Sequence, residues 1–418
     1  MLVRLAWLLT RKLATFFELW HHEGIKAVVN RARLRIDPSR YRPNSNTPSD
    51  WLGHYRPRAD QLERFRRTAW PADAPTVTVI IPAYNTKAEW LTAAVESVKA
   101  QTYPHWQLVV VNDASPSAHV RPLLDKLAKT DPRIQVVHLD ANGGVARATN
   151  AGFAQATGEY VCVLDHDDVL EPQALHRVAK AVLSEGRPGL LYSDEALTWT
   201  DLRDVFAVRA RPQFSHDYYL CHPYFVHLVA MRSELVRKVG GWDETLKTSH
   251  DVDMVLRVLE VTDAVTHIPD VLYLWRTHPG SHGHRTKHVA TAATLGALRR
   301  HLARLGSGGV VRPHPTQFNV FDVQFPVDPA ARVAILIPTK NQVDFVRECV
   351  ESLERTTARD LVDIVVIDHA SDDPDTLAYL TDLRGRHTVV PATGPFNFSA
   401  ICNAVWRRSA GSTPTTCS

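Results

Sequence analysis

"VTVIIPAYNTKAEWLTAAVESVKAQTYPHWQLVVVNDAS", residues 77–115, holds two apolar runs, each ending in a polar cluster, with a helix-like stretch between them. "VTVII" (77–81) and "QLVVV" (107–111) are short and rich in β-branched residues, whereas Ala88–Lys99 repeats its apolar residues at the helical period. The alternation continues: strand-like runs "IQVVHL" (134–139) and "YVCVL" (160–164) accompany helical stretches Val120–Ala128 and Val145–Ala156. This order predicts an α/β fold with a mostly parallel central sheet covered by helices on both faces. Ligands of such sheets sit outside the carboxyl ends of the strands, so "PAYN" (82–85), "NDAS" (112–115) and "DHDD" (165–168) are expected to share one crevice.

The pattern recurs. "VTVIIPAYN" (77–85) returns as "VAILIPTKN" (333–341) and "LVVVNDAS" (108–115) as "IVVIDHAS" (364–371), both displaced by 256 residues (333 − 77 and 364 − 108). A shared displacement predicts domain duplication. "ARATNAGFAQATG" (146–158) likewise resembles "FSAICNAVWRRSAG" (398–411), with Asn150 matching Asn403. After Gly411 only "STPTTCS" follows, where the first copy continues "EYVCVLDHDD". The expectation is an incomplete second domain over 332–418, with an unfinished sheet edge and no counterpart of the acidic cluster. Residues 76–305 form the expected complete domain and 306–331 a linker.

Composition narrows the function. Lys and Arg number 48 against 45 Asp and Glu, a net charge of +3, so nothing points to nucleic acid. The five cysteines lie too far apart for a zinc knuckle or redox pair, which suits a reducing compartment. No run of about 18 apolar residues predicts a membrane span. Residues 1–35 are amphipathic, with Leu2, Leu5, Leu9, Leu13, Phe16 and Trp20 on one helical face. They read either as a helix packed on the chain or as a peripheral membrane contact. Residues 36–75, rich in Pro, Arg, Ser and Asn, read as a linker or irregular lead-in.

Three aspartates, Asp165, Asp167 and Asp168, fall within four residues. Like charges so close need a neutralising partner, and hard carboxylate oxygens suit Mg²⁺ or Mn²⁺ bridged to phosphates. The alternative is that these acids start the following helix, capping it and suiting its dipole. Asp113 can accept hydrogen bonds from a base or ribose, or serve its own turn. "NGGVARATN" (142–150) opens a helix with glycines, a generic phosphate cradle that matches neither dinucleotide nor P-loop patterns, and Arg147 within it joins the candidate nucleotide-sugar contacts. His250, Asp251 and Asp253 open a further amphipathic helix, as caps or as a general base. In "WRTHPGSHGHRTKH" (275–288), His278 is the histidine expected to approach the metal or phosphates from a substrate-covering loop.

Together these motifs resemble the family-2 inverting glycosyltransferases of GT-A fold, over roughly residues 76–280. The stretch 77–115 is similar to that family's opening, "GEYVCVLDHDDVLEP" to its metal-binding segment, and "GGWDE" with "SHDVDMVLR" to its acceptor region, where His250 replaces the usual Glu. The resemblance implies that Pro82, Tyr84 and Asn85 border the nucleotide, that Asp113 contacts its base, and that Asp165 and Asp167 hold the metal against the diphosphate. Asp251 would then deprotonate the acceptor. In the second copy His369 stands at the position of Asp113, beside Asp368. Duplicated proteins of this kind resemble bacterial enzymes of O-antigen and other surface polysaccharides. The implied enzyme is a metal-dependent hexosyl transferase using a nucleotide-diphosphate sugar and a glycan or lipid-linked acceptor, in the cytoplasm or on the inner face of its membrane. The competing readings are an inactive carbohydrate-binding scaffold and a sugar nucleotidyltransferase, whose glycine-rich triphosphate loop "PAYNTKAEW" (82–90) does not supply.

Overall fold

The computed structural model describes residues 47–200, 202, 204–278, 287–356 and 361–409. The amphipathic segment 1–35 lies outside the described residues. Among these residues no helix is long and apolar enough to cross a membrane. The chain divides into two compact units, with the boundary between Phe325 and Pro326.

In the first unit the predicted strands appear as β1 (Val77–Ala83), β2 (Trp106–Asn112), β3 (Ile134–His138) and β4 (Tyr160–Val163). They pair in parallel in the order β3-β2-β1-β4. Beyond β4 the sheet continues through β8 (Val229–Arg232), β6 (Leu190–Thr198), β9 (Val265–Arg276) and β5 (Val169–Leu170), with β7 (Val205–Arg209) beside β6. Here only β6 and β9 run parallel; β8 is antiparallel to β4 and β6.

Alternation along β1 divides the core. Val77, Val79 and Ile81 face a cluster containing Leu91, Val95 and Val98 of α3 (Ala88–Lys99), Leu124 of α4 (Val120–Ala128) and Val178 of α6 (Ala174–Ser184). Ile80 faces the other, with Phe153 of α5 (Val145–Phe153), Met254 of α9 (His250–Leu259) and Leu298 of α10 (Lys287–Arg304). Gly152 is required where α5 meets the sheet, because a Cβ there would lie 2.6 Å from a methyl of Ile80.

Two stretches read as linkers are structured. The lead-in holds α1 (Pro48–Tyr55), started by a Thr47–Asp50 capping box, and α2 (Ala59–Arg66). Leu52 packs with Val169, Val205 and Leu274, and Arg56 pairs with Glu171 at 2.6 Å. Two eight-residue helices are too short to establish a period in the sequence. Residues 310–324 form an antiparallel hairpin of β10 (Val310–Pro313) and β11 (Phe321–Gln324). Two further short helices, α7 (His216–Cys221) and α8 (Ser233–Lys238), flank β8.

The second unit contains β12 (Val333–Thr339), α11 (Val343–Thr356), β13 (Val362–Asp368), α12 (Pro374–Leu383), β14 (Thr388–Pro391) and α13 (Phe398–Ser409). Its three strands pair in parallel as β12-β13-β14. The register Val333↔Val362 is that of Val77↔Trp106 displaced by 256 on both strands (333 − 77, 362 − 106).

Candidate active site

Parallel pairing brings the ends of β2, β1 and β4 to one edge: Ala83 lies opposite Asn112, and Ile80 opposite Val163. Pro82 is buried at the end of β1, while Tyr84 and Asn85 beyond it are exposed. Asn85 has a left-handed backbone (φ 52°), and its amide donates to Ser115 Oγ at 2.9 Å, tying the two strand ends together.

Asp113 is 2% exposed, and its carboxylate builds the glycine loop. Asn142 Nδ2 donates to Oδ2 at 2.8 Å, Gly143 N–H to Oδ1 at 2.9 Å and Gly144 N–H to Oδ2 at 2.8 Å. One lone-pair position remains of the about four a carboxylate offers. Gly144, at φ 88°, is the N-cap of α5. Arg147, one turn on, is exposed and lies across Gly143, where a Cβ would meet its Cδ.

The acidic turn follows β4, and its aspartates have different fates. Asp168 is buried, accepting from Tyr273 Oη at 2.7 Å and Arg276 N–H at 2.7 Å. Burial, then Asp167 and Asp165, raise its carboxyl well above the usual range. The helix-start alternative fails, because β5 intervenes and α6 begins only at Ala174 after Gln173, with no side-chain cap. Asp167 Oδ2 accepts from His278 Nε2 at 2.8 Å, and its backbone carbonyl accepts from Arg276. Asp165 is the most open, with its side chain 43% exposed.

His227 was not singled out in the sequence. It enters because β8 runs antiparallel to β4: continuing the Cys162↔Ala230 register by three residues on each strand sets Asp165 against His227. His227 Nε2 is 3.7 Å from Asp165 Oδ2 and Nδ1 is 3.4 Å from Glu195 Oε2. Burial opposes a charge on this ring, but Glu195 and Asp165 raise it to about 9. The traceable sign was "YSDEAL" (192–197), an acidic pair inside a strand that is buried throughout.

Among the described residues no three His, Cys, Asp or Glu side chains converge as a ready metal cage. The donor set still suits a hard cation of the Mg²⁺ type, which is held by one or two carboxylates and completed by water and substrate phosphates. Asp165 and Asp167 are the carboxylates that would fit such an ion, while His278 is a hydrogen-bond partner of Asp167.

At the amino end of α9, Asp253 is fully engaged by Arg257 Nε at 2.8 Å and Arg300 Nη2 at 2.9 Å. Asp251 is half-buried and accepts only the amide of Val252, at 2.9 Å, among its described contacts. Tyr219 is buried, its hydroxyl without a partner among the described residues; burial, then Asp251, push its ionisation up.

Residues 78–235 match the model of glycosyl transferase family 2. The chain is 34% identical over 349 residues to the uncharacterized protein y4gI of Sinorhizobium fredii, covering 81% of this chain and 38% of that one. It is 32% identical over 345 residues to the O-antigen biosynthesis protein RfbC of Myxococcus xanthus, covering 81% of this chain and 26% of that one. The chain thus spans well under half the length of these relatives. A crystal structure of S. aureus TarS residues 1–349 in complex with UDP-GlcNAc aligns with a TM-score of 0.45 at 19% identity, over 54% of this chain and 66% of that one. Residues 78–235 of the first unit thus form a segment that matches glycosyl transferase family 2, on an α/β sheet whose strand-end clusters share one edge.

Proposed function

We propose that the first unit transfers a glycosyl group, with inversion, from a nucleoside-diphosphate sugar to a hydroxyl of a glycan or lipid-linked acceptor in the synthesis of a surface polysaccharide. The observation that carries this reading is the sharing of one sheet edge by the glycine loop that Asp113 holds and an open acidic turn.

The nucleotide binds along the ends of β1 and β2, bordered by Pro82, Tyr84 and Asn85, with the base at the remaining acceptor position of Asp113. Arg147 faces the phosphates. Asp165 and Asp167 would hold Mn²⁺ or Mg²⁺, which when bound would supply positive charge against the departing diphosphate. Asp251 removes the acceptor hydroxyl proton as the acceptor oxygen bonds to the anomeric carbon and the bond to the diphosphate oxygen breaks. The rigid first turn of α9 fixes that carboxylate, and, among the described residues, no cation pairs with it as Arg257 does with Asp253, which keeps it available as a base. Similarity to an O-antigen biosynthesis protein supports the polysaccharide setting.

The test is nucleoside-diphosphate release from a panel of nucleotide sugars with Mn²⁺ and membrane-derived acceptors, with and without EDTA. Release from one donor, suppressed by EDTA and accompanied by an anomerically inverted product, is expected. A folded protein that releases nothing from any donor contradicts the reading.

A further inference from the structure

Glu195 is a fully buried carboxylate that no step above uses. Its Oε1 accepts from Arg211 Nη2 at 2.7 Å and Arg209 Nη1 at 3.2 Å, which balances its charge. Oε2 takes neither arginine; it faces His227 Nδ1 at 3.4 Å. The opposite nitrogen of the same ring faces Asp165 at 3.7 Å.

The ring has little freedom between these carboxylates. One face stacks on Tyr273, with centroids 4.5 Å apart and planes at 14°, and Trp275 meets it edge-on at 5.0 Å. Tyr273 in turn accepts from the Asp165 amide at 3.2 Å and donates to Asp168, so the same side chain fixes the ring and the turn it faces. Glu195 and Tyr273 are themselves opposite one another across β6 and β9.

We infer that Glu195 and His227 are positioning residues: Glu195 orients the His227 ring, and His227 holds the Asp165 carboxylate in the geometry that receives the nucleoside-diphosphate donor. This rests on the reading of Asp165 as a donor contact. Outer partners of this kind usually account for a factor of roughly 10–100 in affinity or activity.

Calorimetric titration of the full chain with uridine, guanosine and thymidine diphosphates in the presence of Mn²⁺ tests it, using Glu195→Gln, His227→Asn, Asp165→Asn and the pairwise combinations. Each of the first two changes should weaken binding roughly 10–100-fold, and neither should add a loss in the Asp165→Asn background. Losses that multiply on top of Asp165→Asn, or wild-type affinity in both single variants, overturn the inference. Thermal melts accompany the titrations; if Glu195→Gln unfolds, His227→Asn carries the test, since it leaves both arginine pairs of Glu195 in place. A wild-type chain that binds no diphosphate overturns the proposed function as well, whereas wild-type binding with indifferent variants overturns only the positioning role of Glu195 and His227.

Discussion

The two units build the same strand-end turn and then use it differently. Asn85 and Asn341 both sit at positive φ (52° and 57°), as do Ala114 and Ala370 (51° and 54°). Their amides bond the same serines, Asn85 to Ser115 at 2.9 Å and Asn341 to Ser371 at 2.8 Å. The chemistry diverges at the next position. Asp113 accepts from the amides of Gly143 and Gly144, whereas His369 Nε2 must donate to the carbonyl of Gly394, 3.0 Å away, because a carbonyl only accepts. An acceptor that holds two backbone N–H groups has become a donor that occupies a C=O. The sheets differ as well: β1 is buried throughout between β2 and β4, while β12, paired among the described residues only with β13, is partly exposed. The second unit thus has the same backbone turn but carries His369 where the first carries Asp113.

The largest expected effect separates the units by turnover. Asp251→Asn should lower glycosyl transfer about 10²–10⁴-fold with donor binding retained, while Asp368→Asn should leave transfer unchanged. Comparable losses from both would mean that the second unit takes part in the reaction. Steady-state kinetics with the active donor decides this.

A pH series separates them by stability. His176, packed against Phe65 and Trp70, is held neutral to about 4 by burial and then by Arg177 and Lys180. Its folded pKa lies below the usual 6.5, so the unfolded chain takes up the proton first. The first unit should therefore lose up to about 3 kcal/mol as pH falls from 6.5 towards 4, with no further loss from this group below that. His176→Phe should flatten the trend in urea midpoints; an unchanged slope would show that His176 is not its source.

Exchanging the divergent residue sharpens the comparison further. Asp113→His imports the residue of the second unit, leaves the Gly143 and Gly144 amides without their acceptor, and should cost about 1–3 kcal/mol together with donor affinity. Wild-type melting and binding in this variant would remove Asp113 from the account. The smallest effect comes from Asn85→Ala and Asn341→Ala, which each place alanine at a left-handed position at about 1 kcal/mol. Asn341→Ala should cost the more of the two, because Asn341 Oδ1 also accepts from the amides of Asp372 and Asp373; a larger melting shift in Asn85→Ala would contradict this.

The parallel half of the sheet was legible because each strand is a compact apolar run with its helix beside it in sequence, as in 77–115. The rest of the sheet was not, since β8 and β9 reach their partners across long stretches of chain. The same holds for the site. Asp165, Asp167 and Asp113 announce themselves as charge at strand ends, but His227 and Glu195 become neighbours of Asp165 only through register. Asp168 could not be distinguished from its neighbours by sequence, because its burial depends on Tyr273 and Arg276 of β9.

The central claim is that donor chemistry belongs to the first unit alone, and the stoichiometry of nucleoside-diphosphate binding in the presence of Mn²⁺ tests it most directly. One site per chain, lost in Asp165→Asn/Asp167→Asn and retained in Asp368→Asn, is the predicted result. Two sites, or one that survives loss of both first-unit aspartates, would contradict it.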